Sequence, residues 1–278
     1  MTRVAVNGIH LNVEVAGEGP ALLLLHGFTG SLESWRPFFD QWPGFQLVAV
    51  DLTGHGGSDA PPDAARYAIE PCVGGLTGIL DSLGIEKATV LGYSLGGRIA
   101  LQLALARPER VSALVLESAS PGIEDAAERR ARVAADEALA ASIERDGVAA
   151  FVDGWQALPL FASQRRLPAE RQAGLRAQRL RNDAAGLANS LRGVGAGRQA
   201  WLLPRLATFG APALLIAGAL DERYCELARR MAAALPDARV AIVAAAGHAV
   251  HFEQPAAFAS TVRAFLEQWA AFVALKGA

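Results

Sequence analysis

Lysine is almost missing: Lys87 and Lys276 are the only two among 26 basic residues. Arginine abundance therefore carries no information by itself, and only arginines in particular positions count. Cysteine is equally scarce. Cys72 and Cys225 lie far apart and outside any metal-type spacing, which argues against a disulfide framework or a zinc site and for two buried free thiols. No apolar run approaches the ~18 residues of a membrane span, so no membrane insertion is expected. With a formal net charge of -2 there is no electrostatic reason to expect nucleic acid or an anionic membrane as a partner. Internal repeats and low-complexity linkers are also lacking. The first residues, MTRVAVNGIHLNVEVAGEG, alternate apolar and polar around an Asn-Gly, the pattern of a β-hairpin and not of a secretory h-region. A cytoplasmic, monomeric protein is the expectation.

What is present is a rhythm. Short unbroken apolar runs recur at 21–27, 45–51, 88–92, 112–117, 211–218 and 239–247, each the length of a strand buried on both faces. Helix-length segments such as GGRIALQLALARPERV separate most of them. Strands alternating with helices predict an α/β fold with a mostly parallel central sheet and helices on both faces. The rhythm breaks between Pro121 and about Leu206, where only Ala-, Arg- and Glu-rich periodic stretches occur. These predict helices, so residues 1–120 and 207–278 form the core and 121–206 a helical cap inserted between sheet strands.

The chemistry gathers at run ends. Gly92-Tyr93-Ser94-Leu95-Gly96 follows one buried run and precedes a helix, which is the context of a nucleophile on a tight elbow, with glycines where a Cβ would collide. A serine nucleophile needs a base, and the base needs an orienter. His248 follows the last run; His251, three residues on, is its close competitor. Asp221 follows the preceding run, and Glu117 is the alternative acid. His26, His55 and Asp51 read as loop supports. Backbone N–H groups of Leu95, after the serine, and of Phe28, in LLLLHGFTG, are positioned by the pattern as an oxyanion hole. Arg98 comes four residues after Ser94 and shares its helix face.

The order Ser94, Asp221, His248, the HGF string and DLTGHGGSD together resemble the α/β-hydrolase superfamily over essentially the whole chain. GYSLGGR further resembles the menaquinone-pathway synthases that form 2-succinyl-6-hydroxy-2,4-cyclohexadiene-1-carboxylate. So do the cap segments ESASPGIEDAAERRAR, WQALPLFAS and RLRNDAAGLANSLRGVGAGRQ. The sequence departs from that family at Thr53, usually proline, and at AWLLP after Gln199. The resemblance implies a carbon–oxygen lyase that needs no metal or organic cofactor and takes a small-molecule tricarboxylate. It also implies that Arg98, Arg132 and Arg179 bind the carboxylates, with Tyr93, Trp155 and Phe161 walling the pocket. Arg129 or Arg130 could stand for Arg132, and Arg176 or Arg181 for Arg179. Two rival readings remain at this level: a serine hydrolase acting on esters or carbon–carbon bonds, and a ligand receptor with a residual triad.

Overall fold

The computed structural model describes residues 2–277, with side chains as far as Trp269. One eight-stranded sheet is formed by β1 (Thr2–Val6), β2 (Ile9–Ala16), β3 (Ala21–Leu25), β4 (Gln46–Val50), β5 (Ala88–Tyr93), β6 (Val111–Glu117), β7 (Ala213–Gly218) and β8 (Ala238–Val243). Their spatial order is β1-β2-β4-β3-β5-β6-β7-β8. The β1–β2 hairpin turns at Asn7 and Gly8, whose φ values of 51° and 75° are the left-handed pair that a tight two-residue turn needs. β2 is antiparallel to both neighbours; every other pair is parallel.

The helices are α1 (Ile69–Ser82), α2 (Leu95–Ala106), α3 (Ala126–Ala157), α4 (Ala169–Leu180), α5 (Ala184–Val194), α6 (Glu222–Ala234), α7 (Val250–Glu253) and α8 (Pro255–Gly277). The leucine run of β3 shows why both sheet faces are covered. Leu23 and Leu25 pack with Leu76 of α1, Ile99 of α2 and Met231 of α6, while Leu22 and Leu24 pack with Trp35, Phe38 and the α8 residues Phe258 and Val262. All four leucines are fully buried, each worth roughly 1.5–3 kcal/mol of apolar transfer. The run at 239–247 behaves differently from its expectation. β8 is an edge strand with one neighbour, so Val240 and Ile242 are both 37% exposed, and the chain leaves the sheet at Val243 to turn toward His248. Cys72 and Cys225 are buried and unpaired, and burial pushes the Cys72 thiol up to about 12. Among the described residues no helix is long and apolar enough to cross a membrane.

Between β6 and β7 the chain is helical throughout. Asp125 caps α3 by accepting from Glu128 N–H at 2.8 Å, and Asp183 caps α5 by accepting from Gly186 N–H at 2.7 Å. α3 is broken at Gly147, whose φ of 82° no helix contains. Ile143, Phe151, Val152, Leu187 and Leu191 give these helices a small core of their own, against which Phe28 packs from the sheet side. Leu202 and Leu206 already belong to the sheet's core. Side-chain amides pin the helical segment over the loops after β3 and β4. Gln178 donates to the hydroxyls of Ser31 (2.8 Å) and Ser34 (3.0 Å), and Asn182 donates to Thr29 O (2.8 Å) and accepts from Gly56 N–H (3.2 Å).

Candidate active site

Ser94 stands between β5 and α2 with φ 50° and ψ -106°, a conformation a non-glycine residue holds only where its surroundings fix it. They do so here. Its N–H donates to Glu117 O at 2.9 Å, and its own C=O accepts from Arg98 N–H at 2.9 Å as the helix begins. A Cβ on Gly92 would lie 2.4 Å from Gly96 O, and one on Gly96 would lie 2.3 Å from Leu25 O, so the turn closes only with glycine at both places. This is the physical content of the Gly-x-Ser-x-Gly spacing.

His248 reaches the serine from the turn after β8: its Nε2 is 3.1 Å from Ser94 Oγ and its Nδ1 is 2.8 Å from Asp221 Oδ2. Asp221 ends the loop after β7 as the cap of α6, where its other oxygen faces Tyr224 N–H at 3.4 Å. The histidine is 2% exposed and its acid 9%, so the pair is shielded from water. The competing residues pair with each other instead. Glu117 and His251 are both fully buried; His251 Nδ1 lies 2.9 Å from Oε1 and 2.8 Å from Oε2 of Glu117, and the ring stacks on Trp35. Glu117 is thus committed to His251 and does not touch His248. His26 and His55 are loop supports. His26 lies between Gly27 O and Leu52 N–H, and burial lowers it to about 4; His55 lies 3.1 Å from Thr53 O and is lowered by burial to about 3. Asp51 accepts from Leu32 N–H, Asn12 Nδ2 and Gly57 N–H at 2.6–2.7 Å, holding the loops below the site.

A cavity of about 120 Å³ opens above Ser94, walled by Phe28, Tyr93, Leu95, Trp155, Phe161 and Tyr224. Neither Phe28 N–H nor Leu95 N–H donates to another described group, and Leu95 N–H sits at the start of α2, at the positive end of its dipole. Arg98 lines the same cavity. Its guanidinium donates to Val194 O at 2.9 Å, no described carboxylate pairs with it, and burial lowers it to about 10. Arg132 also lines the cavity, half-exposed and tied through Nε to Asp136 Oδ1 at 2.7 Å.

Arg179 is placed differently. It is buried, touches Gln164 Oε1 at 3.2 Å and lies over the Phe161 ring at 5.4 Å, and it lines a neighbouring cavity on the other side of Phe161 rather than the one that holds Ser94. Of its alternatives, Arg176 lines that same neighbouring cavity and pairs with Asp153, and Arg181 pairs with Glu33. Arg129 donates to Ile123 O, and Arg130 is exposed. Sequence reading missed Tyr224, whose ring meets His248 edge-on at 4.5 Å and whose hydroxyl feels Arg98 and Arg132. Only its place three residues past Asp221, on the inward side of α6, could have pointed to it. Among the described residues no three His, Cys, Asp or Glu side chains are placed to share a metal ion.

An elbow serine after β5, an acid after β7 and a histidine after β8, roofed by a helical insertion, define a serine-triad protein of the hydrolase type. The chain belongs to the α/β-hydrolase fold family, whose model matches residues 20–255. It is 34% identical over 248 residues (89% of this chain, 93% of the relative) to the 2-succinyl-6-hydroxy-2,4-cyclohexadiene-1-carboxylate synthase of Serratia proteamaculans (strain 568). A Bacillus subtilis (strain 168) protein whose name gives the same synthase activity provisionally is 46% identical over 256 residues, 91% of this chain and 93% of that one. Among solved structures, MenH from S. aureus superposes with a TM-score of 0.90 at 33% identity, covering 94% of this chain and 99% of the other.

Proposed function

We propose that this chain is a lyase of menaquinone biosynthesis. It eliminates pyruvate from 2-succinyl-5-enolpyruvyl-6-hydroxy-3-cyclohexene-1-carboxylate to give 2-succinyl-6-hydroxy-2,4-cyclohexadiene-1-carboxylate. Asp221 orients His248, and His248 accepts the Ser94 proton as the serine oxygen removes the ring proton beside the succinyl ketone. The electron pair released forms the C2–C3 double bond, the existing C3–C4 double bond moves to C4–C5, and the C5–O bond breaks. Enolpyruvate leaves and takes up the proton as pyruvate. The ketone oxygen gains charge while this happens, and the N–H groups of Phe28 and Leu95 stabilise it within a cavity shielded from water. No covalent acyl-enzyme is required.

The observation that carries this reading is Arg98. A guanidinium held beside the nucleophile, desolvated and without a carboxylate partner, is of no use to a triad acting on neutral esters and is what a carboxylate substrate needs. Arg132 supplies a second guanidinium, and Arg179 a third behind Phe161. Tyr93, Trp155 and Phe161 shape the apolar walls. The enzyme works as a cytoplasmic monomer on a small tricarboxylate. The test is pyruvate release from the tricarboxylate by the purified protein and by Ser94→Ala. Rapid release that vanishes in the variant supports the lyase. No release, together with efficient acylation and deacylation by esters, refutes it in favour of a serine hydrolase, for which the same Ser94, His248 and N–H geometry would serve.

A further inference from the structure

The loop that carries His248 is held by a carboxylate that the reaction above does not use. Glu253, on α7, is buried at 8% exposure. Its Oε2 accepts from Gly247 N–H at 2.7 Å and its Oε1 from Ala249 N–H at 3.3 Å, so its two oxygens grip the amides on either side of the catalytic histidine. Among the described residues no other side chain accepts from both flanks. The turn has little freedom to do without the grip, since Gly247 O lies where a Cβ on Gly218 would sit, and a Cβ on Gly247 would meet the Ser163 hydroxyl. One turn further, Glu117 fixes the other side of α7 by accepting from both the N–H and the ring of His251.

We infer that Glu253 is the positioning residue of His248: by gripping the amides on both sides of it, Glu253 fixes the imidazole between Asp221 and Ser94. Gripping two amides requires both oxygens as acceptors, which only a carboxylate of this length provides; an amide side chain would set its NH₂ against one of the N–H donors.

The inference rests on the lyase reading only for the choice of substrate, and the experiment separates the two. Glu253→Gln keeps size and loses charge; Glu253→Asp keeps charge and loses reach. Each is compared with wild type in kcat and KM on the tricarboxylate and on a neutral aryl ester, beside thermal melts. Glu253→Gln should lower kcat by about 10–100-fold on whichever substrate the triad turns over, with KM changed little. Glu253→Asp, which keeps two acceptors but not their reach, should recover part of that kcat and not all of it. A purely structural residue would lower the melting temperature while the folded protein kept its kcat. If Glu253→Gln keeps wild-type kcat, or if Glu253→Gln fails to fold and Glu253→Asp keeps wild-type kcat, the inference is overturned. Turnover of the ester alone by wild type would sink the lyase reading and leave this test intact.

Discussion

Replacing Arg98 by alanine should separate binding from stability, and the structure sets both magnitudes. Burial lowers the guanidinium to about 10, so holding the charge costs the free protein about 3 kcal/mol relative to water. Its one internal hydrogen bond, to Val194 O, returns part of that cost; stranding the carbonyl in the variant would cost roughly 1–3 kcal/mol. Arg98→Ala should therefore be as stable as wild type or more stable by up to about 2 kcal/mol, with a melting temperature unchanged or a few degrees higher. The substrate experiences the reverse. A carboxylate left in the cavity without its fork loses roughly 2–5 kcal/mol, or about 30- to 4,000-fold in kcat/KM. A neutral aryl ester should lose almost nothing, and Arg98→Lys should recover only part of the loss because a point charge does not reproduce the planar fork. The assay is steady-state kinetics on both substrates beside thermal melts. Equal losses on ester and tricarboxylate, or a melting temperature several degrees lower, would show that Arg98 is a structural strut and that the reasoning from its missing partner is wrong.

Other consequences follow from the same geometry. Ser94→Ala, His248→Ala and Asp221→Asn should each reduce elimination severely without additive losses, because the three act as a unit. Glu117→Gln should instead strand the buried His251, lowering stability by about 3–5 kcal/mol while the folded fraction retains activity; the opposite pattern of the two acids in rate measurements would reverse their roles. Gly96→Ala places a methyl 2.3 Å from Leu25 O and should give little soluble protein, so a wild-type melting curve would contradict the elbow geometry. His26 and His55 are lowered to about 4 and about 3 by burial, so between those values and about 6.5 the unfolded chain binds protons that the folded chain refuses. Stability should fall as pH drops from 6.5 toward 4, by several kcal/mol in all, and a melting temperature flat across that window would refute the assignment of both as neutral supports.

Much of the site was legible because parallel α/β sheets put function at strand ends, and the sequence marks strand ends with glycines. Ser94, Asp221 and His248 each follow an apolar run, so position alone brought them together. Choosing Asp221 over Glu117 was beyond periodicity. Both follow a strand, and only the burial of His251 against Trp35 and Glu117 shows which histidine each acid serves. Arg98 was readable from its i+4 spacing, since a regular helix fixes that direction. The place of Arg179 was harder to read: Arg171, Arg176 and Arg181 lie close to it in sequence, and its position over Phe161 depends on how two cap segments pack. Glu253 escaped for a third reason. A carboxylate that grips backbone amides leaves no side-chain partner in the sequence to betray it.

The contrast between Ser94 and its surroundings explains how a hydrolase framework can run an elimination. The triad and the two N–H groups are indifferent to what develops negative charge in front of them: a tetrahedral ester oxyanion and the enolate oxygen of a ketone ask for the same donors. What differs is where the reacting carbon is held. Covalent attack requires a carbonyl carbon within bonding distance of Ser94 Oγ, whereas proton abstraction requires the neighbouring C–H there and the carbonyl oxygen beyond it. The elbow and the histidine loop are fixed by glycine contacts and buried carboxylates, so they cannot make that choice. In the reading proposed above, the guanidiniums make it. Arg98 and Arg132 both line the cavity above Ser94, and a substrate anchored there by its carboxylates would present a ring C–H, and not an acyl carbon, to the serine. Chemistry is then selected by where the charges of the substrate are tied, on a catalytic apparatus common to the fold.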